Sequence, residues 1–148
     1  MAISDYRPSA IPWPLALDWS AAELRGYLAA AADPALQHLA TRCPAWTVHD
    51  LTAHLAATFR RFADQLMGHQ RGPVPVGLQA MWGLSELAVH HDDLADATGG
   101  SYRPGDPIVA ALVAMKQAVD GFHVRDDPWL EYLRSTGRHI ATASEPSR

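Results

Sequence analysis

The chain has 148 residues, enough for one domain with a sizeable core, and its hydrophobic content of 48% argues against a disordered protein. The net charge is only −4 and the basic residues do not cluster, so neither a nucleic-acid nor an anionic-membrane surface is expected. The single cysteine, Cys43, excludes an internal disulfide and favours a reducing compartment. The longest strongly apolar run, residues 108–115, is too short to span a membrane. We therefore expect a cytoplasmic protein, a monomer or homodimer, that acts on a small molecule.

Alanine, leucine and arginine dominate the sequence and β-branched runs are scarce, which predicts an all-helical domain. The prolines within residues 1–18 predict an extended N-terminal arm. A first helix is expected to begin at Ser20, because the segment S-A-A-E that ends at Glu23 has the pattern of a capping box. The Asp-Pro pair at residues 33–34 either interrupts this helix or begins a second segment.

A second helix is expected after the turn TRCPAW, residues 41–46. Thr47 is the predicted N-cap and Asp50 stands at the matching capping-box position. The Gly- and Pro-rich residues 68–77 end this helix. The spacing of its apolar residues predicts one buried stripe. That stripe comprises Leu51, Leu55, Phe59, Phe62 and Leu66.

The rest of the chain repeats the helical pattern, with a Gly-Gly stop signal at residues 99–100 and an Asp-Pro start signal at 106–107. Four principal amphipathic helices predict a four-helix bundle over residues 19–138. The remaining elements are expected in this order: a helix over 77–98, a helix over 106–122, a short helical segment over 127–138, and a frayed C-terminus over 139–148.

The segment SELAVHHDDLADATGG, residues 85–100, contains the most informative pair of residues. Glu86 and His90 stand four apart and so share one face of the third helix. Burying either side chain alone is costly, whereas a divalent ion would stabilise both. His54 on the second helix is the candidate third ligand, because helix lengths bring it level with this pair in either a parallel or an antiparallel arrangement. Two histidines, one carboxylate and an open position form a recurrent zinc site.

Plainer interpretations exist for each of these residues. The Glu-His spacing also occurs by chance, and His54 could be a hydrogen-bonded core histidine. Asp93 and Asp50 lie one turn from His90 and His54, so each could accept a hydrogen bond from a ligating ring. Alternatively they form a solvated face and a helix cap. If Asp93 orients His90, Asp93→Asn should weaken metal binding by about 10–100-fold with a nearly unchanged melting temperature. Cys43 is interpreted as a small buried residue.

Two motifs resemble those of mycothiol-dependent maleylpyruvate isomerases and their relatives in the wider DinB/YfiT-like superfamily. The segment TRCPAWTVHDLTAHLAATFRR resembles a helix preceded by a Cys-Pro-x-Trp-Thr-Val turn and carrying a histidine, here His54. The pattern Glu-Leu-x-x-His-x-x-Asp matches the segment from Glu86 to Asp93. The resemblance implies a four-helix bundle in which His54, Glu86 and His90 bind a divalent metal. Such bundles usually run up-down-down-up, which would require residues 68–77 to form an extended crossover.

The resemblance also implies a chemistry. In these isomerases a low-molecular-weight thiol adds to a conjugated double bond, the bond rotates and the thiol leaves, while relatives transfer the thiol to an electrophile. The isomerases carry a further C-terminal domain that this sequence does not include, so maleylpyruvate itself is not expected as the substrate. The expected function is thus a metal- and thiol-dependent (mycothiol) isomerase or S-transferase acting on a small electrophile. Zinc is the preferred metal, with nickel, iron or manganese as alternatives.

Helical spacing suggests three residues that could line the substrate pocket. Thr58 lies one turn after His54, Trp82 one turn before Glu86, and Arg61 could meet an anionic substrate. Two other functions fit the same residues. One is a binding protein that holds a metal or a small molecule without turnover. The other is a lyase or cyclase of a biosynthetic pathway that uses the metal as a Lewis acid and needs no thiol.

Overall fold

The structure is a computed structural model that describes residues 13–66 and 76–138, and within these ranges the regular elements are helical. The all-α prediction is confirmed for this part of the chain. The predicted frayed C-terminus and most of the predicted crossover lie outside the described residues. In chain order the elements are α1 (Trp13–Ala30), a 3-10 turn (Pro34–Leu36), α2 (Val48–Leu66), α3 (Val76–Ala97), α4 (Asp106–Asp120) and α5 (Pro128–Ser135).

Helix α1 begins at Trp13 rather than at Ser20, so the predicted extended arm is wrong for residues 13–18. Proline is tolerated in the first turn of a helix, where the missing N–H would have no intrahelical partner, and Pro14 stands there. Ser20 lies inside the helix, and its hydroxyl donates to the carbonyl of Ala16 at 2.8 Å. It is therefore not a cap.

Helix α2 begins as the sequence predicts. The Asp50 carboxylate accepts hydrogen bonds from the Thr47 amide at 2.9 Å and the Thr47 hydroxyl at 2.7 Å, and the Thr47 hydroxyl in turn accepts from the Asp50 amide at 3.3 Å. The preceding turn is closed by the Thr41 amide, which donates to the carbonyl of Trp46. This arrangement fixes the direction in which the chain enters α2.

The predicted apolar stripe of α2 is buried at its first two positions. Leu51 and Leu55 are buried, Phe59 and Phe62 are half-buried, and the side chain of Leu66 lies outside the described part. The stripe faces α3. A Cβ atom on Gly83 of α3 would lie only 3.4 Å from the Phe62 ring.

Helices α2 and α3 run antiparallel. Phe59 faces Gly83, whereas His54, earlier on α2, faces Glu86, later on α3. Because a later residue of α2 faces an earlier residue of α3, the two helices run in opposite directions. The parallel orientation expected for the second and third helices is therefore wrong. The physical reason is the short connection, since few residues between two helices favour antiparallel neighbours.

Helix α3 lies at the centre of the described structure and packs against α1, α2 and α4. Its apolar residues take part in two clusters. The smaller cluster joins Leu87 and Leu94 to Tyr27 of α1 and the first half of α2. The larger cluster joins Leu84 and Ala88 to α4 and to Trp129 of α5, among others. Helix α3 is therefore packed on both sides and ends at the predicted glycine pair.

None of the described helices is long and apolar enough to cross a lipid bilayer.

We expect Thr47→Ala to lower the free energy of unfolding by about 1 kcal/mol, because it removes the oxygen that caps α2. The melting temperature should fall by about 2–4 °C. Thr98→Ala is the matched control, since the Thr98 hydroxyl only donates to carbonyls of the preceding helical turn. Equal losses in the two variants, measured by urea unfolding, would contradict the capping role.

Candidate metal centre

Three side chains from α2 and α3 converge on one point. The Glu86 Oε2 atom lies 3.3 Å from His54 Nε2 and 3.4 Å from His90 Nε2. One donor atom from each of the three residues lies within 4.8 Å of the other two. Ligands about 2 Å from a tetrahedral ion lie about 3.3 Å from one another, so the two distances from Glu86 match this spacing, and the donor types are those of a zinc-type site.

The three side chains differ in exposure. The His90 side chain is 8% exposed, whereas those of His54 and Glu86 are 34% and 40% exposed. The indole ring of Trp46 covers part of the His54 ring, with the ring centroids 4.9 Å apart. The site is therefore anchored in the core at His90 and accessible from the side of His54 and Glu86.

The second ring nitrogen of His90 faces Asp93. The His90 Nδ1 atom lies 2.8 Å from Asp93 Oδ2, so Nδ1–H donates to the carboxylate and Nε2 is directed towards Glu86. Burial opposes a charged imidazole, but the hydrogen bonds to Asp93 and Glu86 outweigh it and raise the pKa of His90. The hydrogen bond from His90 is the main cause of the lowered pKa of Glu86. A cation bound between them would replace this proton.

Asp93 is fully buried and paired with Arg138. The guanidinium contacts both carboxylate oxygens, with Nη2 2.7 Å from Oδ2 and Nε 3.2 Å from Oδ1. Burial alone would raise the pKa of Asp93, yet the hydrogen bonds from His90 and Arg138 lower it to about 2. Removing this charge would leave the guanidinium uncompensated. Asp93→Asn is therefore expected to lower the melting temperature, whereas the sequence alone predicted almost no change.

Cys43 also belongs to this cluster, although the sequence suggested only a small buried residue. Its Sγ atom lies 3.4 Å from Asp93 Oδ2 and 4.0 Å from His90 Nδ1. Burial, reinforced by the charge of Asp93, raises the pKa of the Cys43 thiol to about 11. The thiol is therefore protonated at neutral pH and donates to Asp93.

Two cavities adjoin the triad. The larger measures about 550 Å³ and the smaller about 230 Å³, and His90, Thr136 and Arg138 line both. The larger extends over the turn before α2, and the smaller extends along α3. The other lining residues are Arg42, Cys43, Pro44, Trp46 and Gly137 in the larger cavity, and Ser85, Glu86 and Val89 in the smaller.

None of the three predicted pocket-lining residues lines either of these two cavities. Thr58 is buried, Trp82 packs against the larger apolar cluster, and Arg61 is exposed beside the Phe62 ring. Asp50 binds Thr47 and makes no contact with His54, so it does not orient that ring. Helical spacing placed these residues near a ligand on their own helix but could not show which neighbouring element each would face.

The first motif lies in a segment that matches the model of a known protein family. Residues 17–81 match the family model of the mycothiol maleylpyruvate isomerase N-terminal domain. This confirms the resemblance over that range, which is rather less than half of the chain and contains His54 but not Glu86 or His90. No curated protein and no solved structure matches the chain. The link between the second motif and the first therefore rests on the distances above.

Sequence reasoning missed Arg138 altogether. It follows α5 and lies 45 positions from Asp93, and no local pattern marks it. Cys43 carried a partial signal, because it stands in the turn that leads into the helix of His54. Only the folded arrangement brings both to the His90 ring.

We expect the ionised Asp93 carboxylate to stabilise the metal-free fold above about pH 4 and to lose this effect as the pH falls towards 2. The sign follows from a folded-state pKa of about 2, below the ordinary value of 3.8. Urea unfolding across this window, with a chelator present, should show a steeper loss for wild type than for Asp93→Asn. The exposed Asp64 supplies a control, since Asp64→Asn should follow wild type. Parallel profiles for wild type and Asp93→Asn would contradict the assignment.

Proposed function

We propose that this protein is a metal-dependent enzyme of the thiol-dependent isomerase or S-transferase type, acting on a small electrophilic molecule. The observation that carries the proposal is the convergence of His54, Glu86 and His90 beside two cavities. The family match supports the thiol-dependent class, because it covers the part of the chain that contains His54.

Two imidazoles and a carboxylate suit zinc best, and nickel, iron and manganese are alternatives with overlapping ligand preferences. A divalent ion with an open position would keep a coordinated thiol deprotonated at neutral pH and so make it a nucleophile. His54, Glu86 and His90 would hold the ion. Glu86 supplies the one negative charge of this donor set.

The side chains around the proposed ion indicate which thiol would react and where it would bind. The Cys43 thiol donates to Asp93 and lies on the Nδ1 side of the His90 ring, away from the proposed ion, so the proposed nucleophile is an external low-molecular-weight thiol. Trp46 shields the His54 ring from one side. The larger cavity, at about 550 Å³, falls in the range of small-molecule sites and has room for a thiol and a small electrophile.

The proposal also covers the location, the partners and the helical bundle of the protein. We infer a cytoplasmic monomer or homodimer without nucleic-acid or membrane partners, on the basis of the mild net charge and the single cysteine. We also infer that α1 to α4 form the four-helix bundle implied by the resemblance, with α5 packed against it.

The purified protein should carry close to one divalent ion per chain, and His54→Ala should abolish or greatly weaken its binding while leaving the fold intact. The helices have their own apolar contacts and do not need an ion to fold, unlike a zinc finger. His49→Ala, an exposed histidine on the same helix, is the matched control. Metal content by elemental analysis and helicity by circular dichroism are the measurements. A wild-type chain that binds no divalent ion even when one is supplied would refute the site.

A cobalt-loaded sample should bind a low-molecular-weight thiol and develop a sulfur-to-cobalt absorption band, because sulfur enters the open position. The alcohol analogue of the thiol should not produce this band. Thiol binding followed by turnover of conjugated or electrophilic substrates supports the enzyme. Metal and thiol binding without turnover of any such substrate would favour a binding protein. Turnover independent of the thiol would favour a lyase or cyclase.

A further inference from the structure

A second set of donor atoms lies on the Nδ1 side of the His90 ring, away from the proposed metal triad. The set consists of Cys43 Sγ, His90 Nδ1 and Asp93 Oδ2, all within 4.8 Å of one another. The carboxylate oxygen lies 2.8 Å from the ring nitrogen and 3.4 Å from the sulfur. A thiol, an imidazole and a carboxylate at these distances have the composition of another metal site.

The guanidinium of Arg138 already lies against this set. Its Nη2 atom is 2.7 Å from Asp93 Oδ2, 3.4 Å from His90 Nδ1 and 3.8 Å from Cys43 Sγ. An arginine is permanently charged, so the cluster carries its own cation. A second metal ion would have to displace this group from a fully buried carboxylate.

Arg138 is held in this position by the segment that follows α5. The Arg138 amide donates to the Leu133 carbonyl at 3.2 Å, and Nη1 donates to the Thr136 carbonyl at 3.1 Å. Gly137 has a φ of +89°, a value that favours glycine and turns the chain back towards α3. A hydrogen bond of 2.7 Å between the hydroxyls of Tyr132 and Ser85 joins helix α5 to α3. The guanidinium is therefore presented by a well-anchored turn.

We propose that Arg138 is a positioning residue for the metal site, acting through Asp93 on the ring of His90. Its two contacts fix the plane of the carboxylate, so that Oδ2 accepts the Nδ1 proton and Nε2 is left to bind the ion. Without Arg138 the carboxylate would be free to rotate away from the Nδ1 proton of His90. The effect on metal affinity rests on the proposed function, whereas the effect on the His90 ring does not.

The first test measures zinc affinity by competition with a chelator. Arg138→Gln should weaken binding by about tenfold, in the range seen when outer partners of metal ligands are removed. Arg138→Lys should give an intermediate loss, because a lysine keeps the charge but not the paired contacts. In an Asp93→Asn background, Arg138→Gln should add little, because Arg138 acts through Asp93. Equal losses in both backgrounds would overturn the proposal.

Arg42→Gln is the matched control. The Arg42 guanidinium also pairs with carboxylates of α3, at 2.6 Å from Asp92 and 2.8 Å from Asp96, and it lines the same larger cavity. No hydrogen bond or ion pair joins Arg42 to His90 or Asp93. Zinc affinity should therefore be unchanged in this variant. A loss as large as that of Arg138→Gln would mean that any cation near the cavity has the same effect, and would overturn the proposal.

The second test needs no metal. Nitrogen NMR of the metal-free protein in alkaline buffer reports which His90 nitrogen carries the proton. Wild type should show the Nδ1–H form, and Arg138→Gln should show a mixture of both forms. A wild-type protein that binds no ion but gives this result would refute the proposed function and support the role of Arg138. An unchanged proton position in Arg138→Gln would overturn that role. If this variant does not fold, wild-type affinity and proton position in Arg138→Lys would overturn it.

Discussion

The buried carboxylate of Asp93 joins parts of the chain that are far apart in sequence. It pairs with His90 on its own helix, with Cys43 in the turn before α2 and with Arg138 beyond α5. A buried charge is tolerated only when it is paired and hydrogen-bonded, so these contacts depend on one another. The docking of α5 is thereby coupled to the direction in which His90 presents its free nitrogen.

The packing of α3 makes such a buried charge possible. Apolar clusters lie on two sides of this helix, so polar residues in its second half are enclosed even though they are charged. His90 and Asp93 are enclosed in this way, whereas Glu86 lies where the enclosure opens towards solvent. The arrangement places a rigid ring beside a more accessible carboxylate. An ion held between them would have both a fixed ligand and an open approach.

The sequence predicted the features that depend on a single helical turn. The Thr47–Asp50 cap, the glycine stop after α3 and the shared face of Glu86 and His90 all arise from contacts between residues at most four positions apart. Their patterns are therefore visible without knowledge of the fold. His54 lies beside Glu86, and helix lengths predict this proximity for either direction of the two helices.

Features that depend on the meeting of distant elements were missed or wrong. The level of His54 with Glu86 and His90 is compatible with either direction of α3 relative to α2, so spacing alone did not fix that direction. Arg138 has no local pattern, and Cys43 acquires its partners only when α3 docks. Trp82 shares a helix with Glu86 but packs against the larger apolar cluster. Spacing shows which residues share a helix face, and tertiary packing decides what that face meets.

The antiparallel pairing of α2 and α3 has a consequence for how the protein matures. All three proposed donors lie on two helices that are consecutive in sequence, and contacts of this kind form early because little chain must be ordered to bring them together. Arg138 is synthesised later, after α4 and α5. The three proposed donors are thus present in the growing chain before Arg138, whereas the final alignment of His90 requires the completed fold.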